Sequence, residues 1–176
     1  MPAQPFVDAL NEQIANEFAA SHQYVAIAVH YEAETFPQLA RFFYAQALEE
    51  RNHAMMMVKY LVDTNARVVF SEMTSPRQEF SDHVAPIRLA LDQERSVSGR
   101  ISEIFELARQ ERDYLSEQFM QWFLKEQVEE EATMVELLEV AERVRDLPMT
   151  LEEYIAREQP GGDHNDPQAP EEAGAA

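Results

Sequence analysis

The chain has 176 residues, 45% of them apolar, which suits one domain with a sizeable core and argues against wholesale disorder. Its 33 acidic and 14 basic side chains give a formal net charge of −19, a surface that repels phosphate backbones and anionic lipid, so neither nucleic acid nor membrane is an expected partner. There is no cysteine, which removes disulfides, thiolate catalysis and Cys-ligated metals, and no apolar run reaches the roughly 20 residues of a membrane span, so a cytoplasmic location is expected.

Only four Gly occur, three of them in the last sixteen residues, so the rest of the chain has few tight turns and reads as helix. Residues 6–34 contain neither Pro nor Gly and form the first predicted helix. Thr35-Phe36-Pro37 interrupts it, and Pro37 suits the first turn of a second helix that runs to about residue 65. Residues 66–82 carry the β-leaning Val68-Val69-Phe70 and Pro76 in a polar stretch, and are expected to be a long connection with an extended segment. A third helix is expected over 83–112, with Pro86 in its first turn, and a fourth over 114–145. Thr150-Leu151-Glu152-Glu153 has the form of a capping box that opens a short fifth helix ending near Glu158. From Pro160 onward the sequence is acidic and rich in Pro, Gly and Ala, so the expected division is a bundle over 1–159 and a disordered, solvated tail over 160–176.

Four helices of such length, each about 45 Å, describe an all-α four-helix bundle. Short links make two antiparallel hairpins, and the long middle link can cross the whole bundle so that the second and third helices run parallel. That is the one-crossover topology of ferritin-like bundles, here with a short fifth helix added.

Core positions of a bundle helix recur at alternating steps of four and three. This register selects Leu10, Ile14, Glu17, Ser21, Tyr24, Ala28 and Tyr31 in the first helix, and Leu39, Phe43, Gln46, Glu50, His53, Met57 and Tyr60 in the second. It selects Ile87, Leu91, Glu94, Ser98, Ile101, Phe105 and Ala108 in the third, and Met120, Phe123, Gln127, Glu130, Met134, Leu137 and Ala141 in the fourth. Every seam is apolar at its ends, holds a carboxylate near its middle and lacks Lys and Arg. Glu17, Glu50, Glu94 and Glu130 also lie at similar distances from the hairpin turns, within roughly a turn of one another along the bundle. An isolated buried carboxylate costs several kcal/mol and a cluster of like charges costs more. His53 cannot neutralise four acids, but a bound metal can. Glu50 and His53 form Glu-x-x-His, with both side chains on one helix face, and carboxylate with imidazole suits iron(II), with Zn or Mn as alternatives.

On these residues the sequence resembles the bacterial non-haem ferritins over nearly all of 6–158. The segments that carry the resemblance are NEF with Glu17, QYVA with Tyr24, EERNHAM with Glu50 and His53, DQER with Glu94, and QFMQWFLKEQVEEE. The resemblance implies a ferroxidase site for two irons. In it Glu17, Glu50 and His53 match the ligands of the first iron, with Glu50 bridging, and Glu94 and Glu130 match those of the second, with Gln127 beside them. It further implies a third iron site at Glu49, Glu126 and Glu129, and an aromatic pair, Tyr24 and Trp122, able to supply electrons. The expected reaction is oxidation of iron(II) by dioxygen or hydrogen peroxide, followed by storage as ferric oxide in a hollow shell of twenty-four copies. Val68–Phe70 would belong to the crossover that pairs two subunits, and the fifth helix would lie at the four-fold axes or cap its own bundle.

The sequence departs from two relatives of that family. The fourth helix has Gln127 and Glu130 where bacterioferritin carries a second Glu-x-x-His, and Arg51 stands where bacterioferritin has its haem-ligating Met, so no haem is expected. The acidic tail differs from the basic tail of the small DNA-protecting relatives. His22, His30 and His83 show no partner pattern and read as ordinary helix residues, and His164 falls in the tail. Two other functions fit the same bundle: a metal-binding scaffold without turnover, and a peroxide-scavenging di-iron oxidase that stores no mineral.

Overall fold

A computed structural model describes residues 1–161 and 166–174. Five helices follow one another: α1 (Gln4–Ala33), α2 (Pro37–Asp63), α3 (Ala85–Gln110), α4 (Tyr114–Arg143) and α5 (Pro148–Glu158), and no strand occurs among the described residues. Each of α1, α2, α3 and α5 has proline in its first turn, where the missing N–H is not needed. The start of α4 is capped by Asp113, whose side chain accepts from the Ser116 amide. The expected capping box at Thr150 does not form: Pro148 begins α5 two residues earlier and leaves Thr150 inside the helix. His83 lies just before α3, because the Asp82 carboxylate accepts from the Val84 and Ala85 amides and sets the helix start there.

The helix ends explain how a chain so poor in glycine turns its corners. Thr35, Asn65, Arg112 and Gln159 take positive φ, of 66°, 55°, 57° and 47°, immediately after α1, α2, α3 and α5. Beyond the first three, the Phe36, Ala66 and Asp113 amides reach back to the Tyr31, Leu61 and Ala108 carbonyls, closing Schellman-type turns.

The 21-residue link between α2 and α3 climbs the outside of α1. Asn11 near the start of α1 donates to the Arg67 carbonyl and accepts from the Val69 amide. Further along, Gln23 pairs with Arg77 through both its amide atoms, and near the end of α1 the Tyr31 hydroxyl donates to the His83 carbonyl. This ladder spans about 30 Å of helix and returns the chain to the end where α2 began, so α3 runs parallel to α2. The ferritin-like topology expected from link lengths is thereby realised.

The apolar core is split in two. One cluster gathers Tyr31, Leu39, Phe43, Ile87, Leu137 and the α5 residues Leu151 and Ile155; the other gathers Phe6, Leu10, Met57, Leu61, Ile101, Met120 and Phe123. Between them every helix of the bundle contributes buried carboxylates. α5 packs on α2 and α4 of its own chain, where Glu152 accepts hydrogen bonds from the Gln38 and Leu39 amides at the start of α2. No helix among the described residues is long and apolar enough to cross a membrane.

Candidate metal centre

The two apolar plugs leave a polar layer in which no Lys or Arg is buried among the described residues: the buried polar side chains include Glu17, Glu49, Glu50, His53, Glu94, Glu126, Gln127 and Glu130. Two sets of potential ligand atoms lie within 4.8 Å of one another, Glu17 with Glu50 and His53, and Glu49 with His53, Glu126 and Glu130. His53 belongs to both. Its Nδ1 is 3.9 Å from Glu50 Oε2, as the i, i+3 spacing requires, and its ring meets Trp122 and Phe123 edge-on at 5.6 and 5.9 Å.

Electrostatics and hydrogen bonding both point to a site suited to a cation. Burial, reinforced by the charges of Glu94 and Glu17, pushes the Glu50 carboxyl well above its usual range. Burial acts on Glu130 in the same direction, with Glu49 and Glu94 adding to it. Glu94 is raised to about 7, chiefly by burial; the hydrogen bond from the Tyr24 hydroxyl opposes the rise, as does Gln127. Tyr24, itself fully buried and facing Glu94, Glu50 and Glu130, stays protonated far above its ordinary range. Meanwhile Glu17 Oε2, both Glu50 oxygens, Glu94 Oε2 and Glu130 Oε1 are buried without a hydrogen-bond partner. Orphaned carboxylate oxygens that converge beside an imidazole are costly in a protein interior unless a cation fills the space between them. The donor set, hard oxygens with one nitrogen, fits a divalent first-row ion such as iron(II).

The sites read from the sequence are distributed unevenly. Glu17, Glu50 and His53 converge, and Glu130 joins them through His53. Glu94 faces Tyr24 and Gln127, and Ser98 Oγ donates to Gln127 Oε1. Glu49 and Glu126 are buried beside Glu130, whereas the Glu129 side chain is 63% exposed and pairs with Lys125 at 3.6 Å. The sequence reading did not include Gln13 and took Gln46 only as a core position, yet both hold acids of the layer. Gln13 donates to Glu17 at 2.8 Å, and Gln46 donates to Glu49 at 2.6 Å. Their signal was available, since each stands one turn before the acid it holds. Among the other histidines, His30 packs on Tyr31 and Phe80, and His83 lies against Phe36; His164 is outside the described residues.

Comparison with known proteins shows the family of the chain. The family model described as the ferritin-like domain matches residues 7–144. The chain is 48% identical to ferritin BfrB of Mycolicibacterium smegmatis over 167 residues, covering 95% of this chain and 92% of that one. It is 36% identical to a bacterial non-heme ferritin of Staphylococcus epidermidis over 154 residues, covering 88% and 93%. Among solved structures, the open pore ferritin of Archaeoglobus fulgidus superposes with a TM-score of 0.84 at 27% identity, covering 88% of this chain and 96% of that one.

Proposed function

Because the chain belongs to the ferritin-like family, we propose that it is an iron-storage protein and a ferroxidase: it takes up iron(II), oxidises it at the carboxylate layer and holds the product as ferric oxide inside a shell of its own copies. The observation that carries this reading is His53, shared between two groups of buried acids, one drawn from α1 and α2 and the other from α2 and α4. An arrangement of this kind can hold two cations as neighbours, with Glu17, Glu50 and His53 serving one and Glu94 and Glu130 the other, Glu94 being close enough to Glu50 to raise its carboxyl.

Two neighbouring iron(II) ions can deliver two electrons to one dioxygen or hydrogen peroxide molecule in a single encounter. With dioxygen, two iron(II), one O2 and two protons yield two iron(III) and one hydrogen peroxide. The negative shell favours the product, since iron(III) carries the higher charge. A shell of mixed, partly labile oxygen ligands would also let iron move on, and the buried acids Glu49 and Glu126 continue the acidic surroundings beyond the centre, where a third iron would sit. No haem is part of this scheme. Storage requires a closed cavity that one bundle lacks, so assembly into a shell of twenty-four copies in the cytoplasm is part of the proposal. Much of the charge of −19 then acts as attraction for iron(II) and as nucleation sites for mineral.

Anaerobic loading with iron(II), followed by air, tests the reading. A rapid rise in ferric absorbance, a large assembly by sizing, and far more iron per assembly than its sites could hold are expected. Absence of the ferric rise would leave a metal-binding scaffold, and a small oligomer with rapid turnover would leave an oxidase without storage. Fast oxidation surviving Glu50→Ala combined with His53→Ala would refute the site.

A further inference from the structure

Residues 166–174 have no part in the chemistry described so far, yet they return to the bundle beside the metal centre. The Ala173 amide donates to the Met55 carbonyl at 3.1 Å, Glu171 lies 3.7 Å from Lys59, and Ala169 and Ala173 pack on the apolar cluster that contains Phe123. At the head of this strap stands Asp166. Its Oδ2 accepts a hydrogen bond from Trp122 Nε1 at 3.0 Å and lies 3.5 Å from Lys125 Nζ, while its Oδ1 accepts from the Gln168 amide at 2.8 Å. The Gln168 amide, then the indole, hold the carboxyl below its usual range, so it is ionised at neutral pH.

Trp122 is the chain's one tryptophan. Its ring stands edge-on to His53, with centroids 5.6 Å apart and planes at 72°. A single indole therefore spans from a metal-centre imidazole to a carboxylate held by the strap. Indole is among the side chains that most readily lose an electron, and the radical cation left behind has an acidic N–H. Here that N–H already points at a base.

We propose that Asp166 positions Trp122 against His53 and accepts its proton when Trp122 supplies an electron to the iron centre. Dioxygen undergoing reduction at that centre is the oxidant and gains one electron. Trp122 loses that electron; its Nε1–H bond breaks and an O–H bond forms on Asp166, leaving a neutral indolyl radical and a neutral carboxyl. No positive charge then remains on the ring beside His53. The electron step rests on the oxidation reading above, whereas the Trp122–Asp166 pair exists in the protein without iron.

The experiment uses the full chain in two arms. In the iron-free protein, Asp166→Ala is expected to shift the tryptophan emission to the red and raise its quenching by acrylamide. Asp166→Asn keeps an accepting oxygen, so its emission should stay near that of the unmodified protein. After one-electron oxidation by azide radical in pulse radiolysis, however, its indole radical cation should survive several-fold longer. Unchanged emission in Asp166→Ala would overturn the positioning role, and an unchanged cation lifetime in Asp166→Asn would overturn the proton transfer. In the second arm, sub-stoichiometric iron(II) followed by air and freeze-quenching should give a neutral tryptophan radical in the unmodified protein and the cation in Asp166→Asn. Iron oxidation with no tryptophan radical would refute the electron donation alone. No iron oxidation at all would refute the ferroxidase reading and the electron donation with it, while the iron-free lifetimes decide the role of Asp166 independently.

Discussion

The Tyr24 hydroxyl donates a hydrogen bond to Glu94, tying the middle of α1 to the middle of α3 at the level of the carboxylate layer. That bond pulls the Glu94 carboxyl down toward its ionised form, against the burial that raises it to about 7. Tyr24→Phe removes the donor and leaves the apolar packing against Phe43 in place. Glu94 then holds its proton more tightly, and zinc(II), a redox-inert probe, should bind about tenfold more weakly at pH 7, as expected for losing one charge-assisted bond. Calorimetric titration measures it; unchanged affinity would show that Glu94 takes no part in binding.

The raised carboxyls make the metal-free protein acid-favoured. Glu94 titrates near 7 when folded against 4.5 as an ordinary glutamate, so its full contribution is present below about pH 4.5 and is lost as pH rises through 7. The loss from Glu94 is on the order of 3 kcal/mol, and Glu50 and Glu130 act in the same direction. Thermal unfolding of the iron-free protein should therefore occur at a higher temperature at pH 5 than at pH 8. Saturating zinc(II) should abolish that difference, because the ion takes the place of the protons. A metal-free Tm that climbs from pH 5 to 8 would contradict the assignment.

Glu126 and Glu129 stand three residues apart on α4 but are not equivalent. Glu126 is buried beside Glu49 and Glu130, while Glu129 faces solvent and Lys125. Glu126→Ala should slow the movement of iron from the centre into mineral, whereas Glu129→Ala should alter it little. Stopped-flow absorbance over successive iron additions distinguishes the two, and a larger effect at Glu129 would mean that the flanking site is built differently.

Glu152 serves α2 as a cap delivered from another helix. Its carboxylate receives the Gln38 and Leu39 amides at 2.8 and 2.9 Å, two of the donors that a helix start leaves unpaired. Glu152→Ala should destabilise the protein by about 2 kcal/mol, since the amides are left in a largely dry site and a charge favourable to the helix dipole is lost. Differential scanning calorimetry reads this as a lower Tm; no change would place α5 outside the cooperative unit.

Thr35 takes φ of 66° just beyond α1, a left-handed conformation that its branched side chain resists. Thr35→Gly should raise stability by about 1 kcal/mol, because the relief of strain outweighs the added freedom of the unfolded chain. A fall in Tm would show that the Thr35 side chain makes a stabilising contact that outweighs the strain.

The sequence by itself determined the helical class, the two hairpins with one crossover, and the seam acids Glu17, Glu50, Glu94 and Glu130. These follow from proline placement and a 3.5-residue repeat, which are local properties of the chain, and the seam residues are indeed buried apart from the half-exposed Ser21, Tyr60, Ser98 and Phe105. The hydrogen bonds of Gln13 to Glu17 and of Gln46 to Glu49 were equally local and could have been read from their spacing. The tertiary structure alone decided the rest. It placed Glu129 on the solvent face of α4, next to the buried Glu130, and it allowed four non-glycine residues to close the helix ends. It also brought Glu152 to the start of α2 across 114 and 113 positions, Tyr24 to Glu94 across 70, and Asp166 to Trp122 across 44. A helical repeat tells which side of a helix is dry. Which donor meets which acceptor over such separations depends on how whole elements dock, and no local spacing encodes that.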